Sequence, residues 1–275
     1  MDAAGRIAPD RGRELGDGLS RSRVAYANAW IPGRVLGGTA MVVGPLLWLV
    51  ALVLRYLGFG IAVFTPEQSA WLAEQPFAAP GQLAAYAQHP RLVTAGYALF
   101  AAACIVLAFA ILTVARIVAT ATPVVAHLAA IGLVGSMLGR LYFSGVDLTA
   151  FRLVDAVGLD QATQFVLGNY VELSYGLWYI PVTASAGALV GGLLLALGAF
   201  RAGLLGLVRC GLLVGWAWTF LGVLKESDAG SVIGAVGLCV ILVPIGVQLL
   251  RGRLPALGTT TGPGPIQPPR THWLW

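Results

Sequence analysis

The segment of residues 140–179 concentrates the side chains of this sequence that could do chemistry, and strongly apolar sequence flanks it on both sides. Its ionisable residues include Arg140, Asp147 and Glu172, in a chain in which only 11% of residues are charged. Ionisable groups at membrane depth are costly to keep there, and they are commonly functional. We therefore expect any ligand-binding site of this protein to draw on this segment.

Arg140 and Asp147 are seven positions apart, so they share one face if the chain between them is helical. Gly145 lies between them and has no side chain, which would leave room for the arginine to fold toward the carboxylate. Two interpretations stay open. The pair is either an interfacial salt bridge that fixes the end of a helix or a charged lining for a cavity in the outer leaflet.

A second candidate face combines Glu172, Tyr175 and Tyr179 at helical spacings of three, four and seven, with Trp178 beside them. Aromatic ring faces attract positive charge, so a carboxylate among such rings suits a cation or an electron-poor intermediate. The same residues also suit an aromatic belt at a membrane surface with one solvated acid. The predicted ligand-binding residues are Arg140, Asp147, Glu172, Tyr175, Trp178 and Tyr179.

The composition is that of an integral membrane protein. Hydrophobic residues make up 58% of the 275 positions, and the mean hydropathy is +0.82. A soluble domain would carry roughly a quarter charged residues. The formal charge of +5 comes from arginines in the N-terminal tail and at the ends of apolar runs. That distribution is typical of topology signals, so we expect no nucleic-acid partner.

The hydropathy pattern predicts an all-α bundle of six transmembrane helices, because about 20 apolar residues cross the hydrocarbon core. The predicted spans are residues 35–57, 91–117, 124–143, 173–200, 205–224 and 232–250. Residues 1–34 form an Arg-rich tail and residues 251–275 a Pro/Gly-rich tail, and we expect both to be disordered. Basic residues are more numerous on the side of the membrane that carries the two tails, so the positive-inside rule predicts that both termini are cytoplasmic. We expect the membrane to be the plasma membrane.

Short helices are expected on the outer side. Thr65 and Gln68 form a capping-box pattern around Pro66, which predicts a surface helix ending near Glu74. Asp147 is expected to cap a second helix, which Gly158 ends.

Asp160 is expected to cap a further helix that runs into the fourth span, with Pro181 as a kink. Pairs of glycines four positions apart predict close helix packing or contacts with a homo- or hetero-oligomeric partner. These pairs are Gly135 with Gly139, Gly187 with Gly191, and Gly211 with Gly215.

The chain combines the six predicted spans with the arginine-rich tail and the run GALVGGLLLALGAFRAGLLG at residues 187–206. In these features it resembles the small six-span membrane proteins of unknown function that are common in actinobacteria. The resemblance implies a membrane location, and it supplies no catalytic residues.

Three hypotheses on function follow. The first is a membrane protein that binds or moves a small amphiphile or lipid at the outer leaflet, with membrane lipid or a hydrophobic small molecule as partner. The sequence contains no Walker A, HExxH, GxSxG or CxxC motif, so we expect no nucleotide drive, metal or cofactor.

The second hypothesis is an intramembrane enzyme that acts on an isoprenoid-like or lipid substrate. Glu172 or Asp147 would be its general acid, and Tyr175, Trp178 and Tyr179 would stabilise the positive charge that develops. The third hypothesis is a structural or accessory subunit of a membrane complex.

Overall fold

A computed structural model describes residues 32–176, 179–220 and 228–252, and for residues 170, 171 and 173–175 it describes the backbone alone. The described residues form helices and no strand. The helices are α1 (Arg34–Gly60), α2 (Pro66–Ala73), α3 (Ala79–Gln88), α4 (Pro90–Val118), α5 (Pro123–Val157), α6 (Leu159–Tyr175), α7 (Ile180–Arg201), α8 (Leu207–Trp218) and α9 (Ala229–Leu250). Both predicted tails lie almost wholly outside the described residues.

Five of these helices, α1, α4, α5, α7 and α9, are long and apolar enough to cross a membrane. The shortest has 22 residues, or about 33 Å at 1.5 Å per residue, against a hydrocarbon core of about 30 Å. Large apolar side chains such as Val50, Ile105, Ile131 and Val190 point outward from them and are exposed. An apolar exterior around a helical bundle is the pattern of a multi-pass membrane protein.

The predicted span at residues 205–224 is represented by α8, an apolar helix of 12 residues. Its length of about 18 Å is too short to cross the hydrocarbon core. Residues 221–227, which include the end of the predicted span, lie outside the described residues. The described structure therefore establishes five helices of spanning length.

The six apolar helices form a closed ring in the order α1, α4, α5, α7, α8, α9 and back to α1. The α5 and α7 helices approach each other closely, because a Cβ atom on Gly132 would lie 2.7 Å from the Gly187 carbonyl oxygen. Gly191 is similarly confined, which confirms the predicted packing role of Gly187 and Gly191. Gly135 was expected at such a contact, but a Cβ there would meet no atom within 4 Å.

Gly139, the other member of that predicted pair, does pack closely, against the backbone of Pro181. Gly211 and Gly215 have open space around them, so they make no close helix contact among the described residues. Their predicted role in binding a partner stays a prediction.

We call the end of the bundle at which α1 ends and α4 begins the distal end, and the opposite end the proximal end. The predicted capping box at the distal end is confirmed. The Gln68 amide N–H donates to the Thr65 hydroxyl at 3.2 Å, and the Gln68 side chain accepts from the Thr65 N–H at 3.0 Å. The following α3 helix was not predicted, because the prolines around it suggested a loop.

The α5 helix is continuous over 35 residues, so the prediction that Asp147 caps a separate helix was wrong. Apolar side chains pack on both sides of this position, and the backbone has no reason to break there. Gly158 does end the helix, as predicted, and its φ of 86° is a conformation that suits glycine.

A distal cap is formed by α3, α6 and the last three turns of α5. Its small core includes Leu83, Tyr86, Phe151 and Val166, all buried. The rings of Tyr86 and Phe151 stack with centroids 4.9 Å apart. This cap holds α6 beside the distal half of α5, which positions the cavity described below.

Candidate functional site

Arg140 lies on the side of α5 that faces the interior of the ring. Its guanidinium donates to the Phe220 carbonyl oxygen at 3.0 Å and lies 4.6 Å from the centroid of the Phe220 ring. One turn further along the same side, the Ser144 hydroxyl donates to the Tyr97 carbonyl oxygen of α4 at 3.0 Å. This side of α5 is therefore closed against neighbouring elements.

Arg55 of α1 joins this region from the opposite wall. Its guanidinium lies 4.1 Å from the Tyr97 ring centroid and 4.7 Å from that of Phe100, and it donates to the Tyr97 hydroxyl at 3.3 Å. The charges of Arg55 and Arg140 both interact with Asp147. We call Arg55, Arg140 and Asp147 the arginine cluster, and all three are half-buried.

An aromatic floor, defined here as Trp48, Phe100, Trp216 and Phe220, connects the two arginines. The Trp48 ring lies 4.3 Å from Phe100 and 5.8 Å from Phe220, and Trp216 lies 4.9 Å from Phe220, measured between centroids. All four rings are buried. The floor fixes the two guanidinium groups, because each one covers a ring at one end of it.

The expected shared face of Arg140 and Asp147 is present, since α5 is helical between them. No hydrogen bond or ion pair to the Asp147 carboxylate occurs within the described part of the chain, so the two residues do not form the expected salt bridge. Gly145 does not lie between them but on another side of α5, where it lines the cavity described below. Sequence reasoning did not include Arg55 in the site, although it was the one charged residue within an otherwise apolar predicted span.

The second predicted face is not formed. The α6 helix ends at Tyr175, Gly176 follows with a φ of 60°, and Tyr179 has a φ of 58°. Glu172 and Tyr179 therefore belong to different elements, and both side chains are exposed. Trp178 and the Tyr175 side chain lie outside what the structure describes.

The break at Gly176 also corrects the prediction of one helix running from Asp160 into the fourth span. Pro181 occupies the first turn of α7, where its missing N–H is tolerated, and it is not a kink within a longer helix. Asp160 lies in the first turn of α6, whose N-cap is Gly158.

A cavity of about 970 Å³ opens on the other side of α5, between that helix and α6. Its lining is almost wholly apolar, with Tyr142, Thr149 and Arg152 as the polar exceptions. The lining residues are Leu138, Leu141, Tyr142, Gly145, Val146, Thr149, Ala150, Arg152, Leu153, Ala156, Phe165 and Val166. Arg140, Asp147, Glu172 and Tyr179, the four predicted ligand-binding residues whose side chains the structure describes, do not line this α5–α6 cavity.

The rim of the α5–α6 cavity is polar. Arg152 forms an ion pair of 3.2 Å with Asp155, which also accepts a hydrogen bond of 2.7 Å from the Tyr86 hydroxyl. Burial, together with Asp155, raises the pKa of Tyr86 above its ordinary value of 10.0. The three residues tie α3 to α5 at the distal end and leave most of the Arg152 side chain exposed, with 76% accessible.

Metal chemistry finds no support in the described residues, which contain no cluster of three or more His, Cys, Asp or Glu side chains. His127 is exposed, and its Nδ1 lies 2.6 Å from the Pro123 carbonyl oxygen of the same helix. The structure thus offers two arrangements for a ligand. One is an apolar cavity with a basic rim, and the other is a cationic cluster within the bundle.

Comparisons with known proteins add no family. No protein-family model, curated protein or solved structure matches the chain.

Proposed function

We propose that this protein is a plasma-membrane protein that binds a small amphiphile or lipid from the outer leaflet, with the apolar chain in the α5–α6 cavity. The observation that carries the proposal is the cavity itself, which has an apolar interior and, among its described lining residues, one charged side chain, that of Arg152. Ligand sites of this kind are concave and mostly apolar, with a few polar groups that orient the ligand.

The position of the cavity along α5 suits an amphiphile. Leu138 and Ala156, the outermost lining residues on α5, are 18 positions apart, or about 27 Å. About 20 residues of α5 cross the hydrocarbon core, so a helix that enters at Pro123 leaves it near Phe143. Leu138 and Leu141 would then contact the acyl chain, while Thr149 and Arg152 would meet its headgroup.

The rim favours a headgroup with acceptor oxygens. Asp155 balances the charge of Arg152 and also accepts from Tyr86, but this ion pair uses only part of the guanidinium, which has five N–H donors and stays exposed. The amphiphile that fits is therefore a lipid or fatty acid whose headgroup oxygens accept hydrogen bonds from Arg152.

The orientation follows from the charges at the two ends. Arg34, Arg116, Arg201 and Arg251 lie at the proximal ends of their helices, whereas Glu67, Glu74, Asp160 and Glu172 lie at the distal end. By the positive-inside rule the proximal end is cytoplasmic, so both tails are cytoplasmic and the cavity opens at the outer leaflet. This topology corresponds to the six crossings predicted from the sequence, and α8 belongs to the fifth of them.

The enzymatic alternative finds less support. It required Glu172 and Tyr179 to share a face, and the two belong to different elements. Asp147 lies on the closed side of α5, so it does not line the α5–α6 cavity.

Filling the α5–α6 cavity tests the proposal. Gly145 lines it and has no neighbour within 4 Å of a Cβ atom, so Gly145→Leu would place a side chain in the space that the acyl chain needs. Gly135→Leu is the matched control, because Gly135 is equally open on the same helix but lies outside the cavity. Binding of a fluorescent fatty acid to each purified protein in nanodiscs is the measurement.

The expected result is saturable binding by the wild type and by Gly135→Leu, and loss of that binding in Gly145→Leu. Equal binding by all three proteins would place the amphiphile elsewhere. Absence of saturable binding by the wild type, for acidic and neutral amphiphiles alike, would reject the function.

A further inference from the structure

The arginine cluster, on the closed side of α5, contains many hydrogen-bond donors with few acceptors. A guanidinium has five N–H donors, so Arg55 and Arg140 together offer about ten. Two of their hydrogen bonds are described, to the Tyr97 hydroxyl and to the Phe220 carbonyl oxygen. The Nε atoms of both arginines are buried and have no hydrogen-bond partner.

The aromatic floor beneath the two guanidinium groups also contains N–H donors without acceptors. The indole Nε1 atoms of Trp48 and Trp216 are also buried without a partner. Four covered N–H donors thus belong to one connected group of side chains. Buried donors are nearly always paired in folded proteins, and an unpaired donor commonly marks a missing water or ion.

The charges in this region are also unbalanced. Arg55 and Arg140 interact electrostatically with each other as well as with Asp147. Two cations and one carboxylate leave one positive charge about 8 Å inside the distal end of α1, five residues before Gly60. Charges that are partly withdrawn from water are generally paired in proteins, and the described residues supply no second anion.

The pattern selects the class of ligand. Every unmet group on the arginines and the floor is an N–H donor, so the partner must be an acceptor. Guanidinium groups match the geometry of oxygen anions, to which they donate two parallel hydrogen bonds. The residual charge is a single positive one, which a monoanion balances. Arg55, Arg140 and Asp147 retain accessible surface, so an ion can reach them.

We propose that Arg55 and Arg140 form a binding site for a monoanionic oxyanion, of the carboxylate or phosphodiester type, above the floor of Trp48, Phe100, Trp216 and Phe220. Asp147 sets the charge of the ligand, because it cancels one of the two positive charges. This site lies on the opposite side of α5 from the α5–α6 cavity and does not depend on the function proposed for that cavity.

Thermal unfolding of the full chain tests the site. The protein is held in an uncharged detergent at constant ionic strength, and chloride is replaced stepwise by acetate or by dimethyl phosphate, which have no chain to enter the α5–α6 cavity. A second arm compares nanodiscs of phosphatidylcholine with nanodiscs that contain phosphatidylglycerol. The first arm detects a free oxyanion and the second detects a lipid headgroup.

A saturable rise of the melting temperature in either arm supports the site and identifies the source of the anion. Arg55→Gln and Arg140→Gln should raise the anion concentration that gives half of the melting-temperature increase by about tenfold or more, because each removes charge-assisted hydrogen bonds. Asp147→Asn should lower this concentration, since the site then carries two positive charges. This variant keeps both arginines, so it tests the site even if the glutamine variants do not fold. Arg152→Gln and Gly145→Leu are controls that should leave the response to acetate unchanged.

A wild type that responds to neither oxyanion nor phosphatidylglycerol would overturn the proposal. So would an Asp147→Asn variant whose response is equal to or weaker than that of the wild type. If Arg152→Gln abolishes the effect of phosphatidylglycerol and acetate has none, the lipid is bound at the α5–α6 cavity and the oxyanion site is rejected.

Discussion

The two sides of α5 differ in what they contact and in what they leave open. The closed side carries Arg140, Ser144 and Asp147 and packs on α4 and on the residues around Phe220. The open side carries Gly145, Thr149 and other residues that line a cavity of about 970 Å³. The arginine cluster thus lies on one side of this helix and its free apolar space on the other, with Arg152 at the rim of that space.

This difference shows why charge alone does not locate an apolar ligand. The arginine cluster is surrounded by the aromatic floor and by backbone carbonyl groups, and its remaining N–H donors call for a polar ligand and not for an acyl chain. A cavity for an acyl chain needs the reverse, namely small side chains and a helix held at a distance. The distal cap fixes α6 beside the distal half of α5, and the cavity lies between the two helices.

The largest expected effect comes from two substitutions on α5, one at its packed contact with α7 and one on its open side. Gly132→Leu would force a side chain against the Gly187 carbonyl oxygen of α7, which lies 2.7 Å from the added Cβ. Overpacking of this kind destabilises by about 1–3 kcal/mol, and contact with rigid backbone places the effect at the upper end. Gly145→Leu should not destabilise, since its side chain enters open space. Thermal unfolding in detergent measures both.

Equal destabilisation by Gly132→Leu and Gly145→Leu would mean that the α5–α6 cavity is closed in the folded protein. The contrast between the two sides of α5 would then fail.

The next effect compares the two arginines of α5. Arg140→Gln removes a hydrogen bond from a charged donor to the Phe220 carbonyl oxygen, an interaction worth about 1.5–3 kcal/mol. Arg152→Gln removes an exposed ion pair with Asp155, worth less than about 1 kcal/mol. We expect a clear loss of unfolding free energy for the first variant and a small one for the second. The reverse order would show that the buried arginine is not held as described.

The smallest effect concerns the Tyr86–Asp155 hydrogen bond at the cavity rim. Because the pKa of Tyr86 is raised in the folded protein, its contribution to stability is full below pH 10 and is lost as the pH rises through the raised pKa. Tyr86→Phe should lower stability by about 1 kcal/mol at neutral pH and remove this part of the alkaline loss. Unfolding midpoints of the wild type and of Tyr86→Phe, measured from pH 8 to pH 11, test this prediction.

An alkaline loss in Tyr86→Phe equal to that of the wild type would assign the effect to another group. Amide hydrogen exchange in α3 and α6 would then show whether the distal cap is involved at all.

Much of the fold was predictable because its causes are local. Apolar run length located the five long helices, and Thr65, Pro66 and Gln68 located the start of α2, since capping depends on neighbours in sequence. The continuity of α5 past Asp147 was missed, because an aspartate signals a cap only where tertiary packing permits a break. The end of α6 was missed for a similar reason, because the spacing of Glu172, Tyr175 and Tyr179 predicted one continuous helix across Gly176.

The candidate site was predictable only in part. The sequence indicated Arg140 and Asp147, and the structure brings them to one region with Arg55. Arg55 of α1 and Asp147 of α5 come together because both helices pack on α4. Contacts between such distant parts of the chain cannot be read from the spacing of residues within one segment. The α5–α6 cavity was not predictable from residue types, because it depends on where the distal cap places α6 beside α5, and the contacts that form this cap join residues distant in sequence.

Photolabelling tests the central claim most directly. A fatty acid with a diazirine at the end of its chain is bound to the protein in nanodiscs, activated by light, and located by mass spectrometry of the peptides. We predict labels on α5 between Leu138 and Gly145, the end of the cavity that the acyl chain enters, with competition by unlabelled fatty acid. Labels spread evenly over the lipid-facing residues Ile131, Val190 and Ile233, without competition, would contradict a bound amphiphile in the α5–α6 cavity.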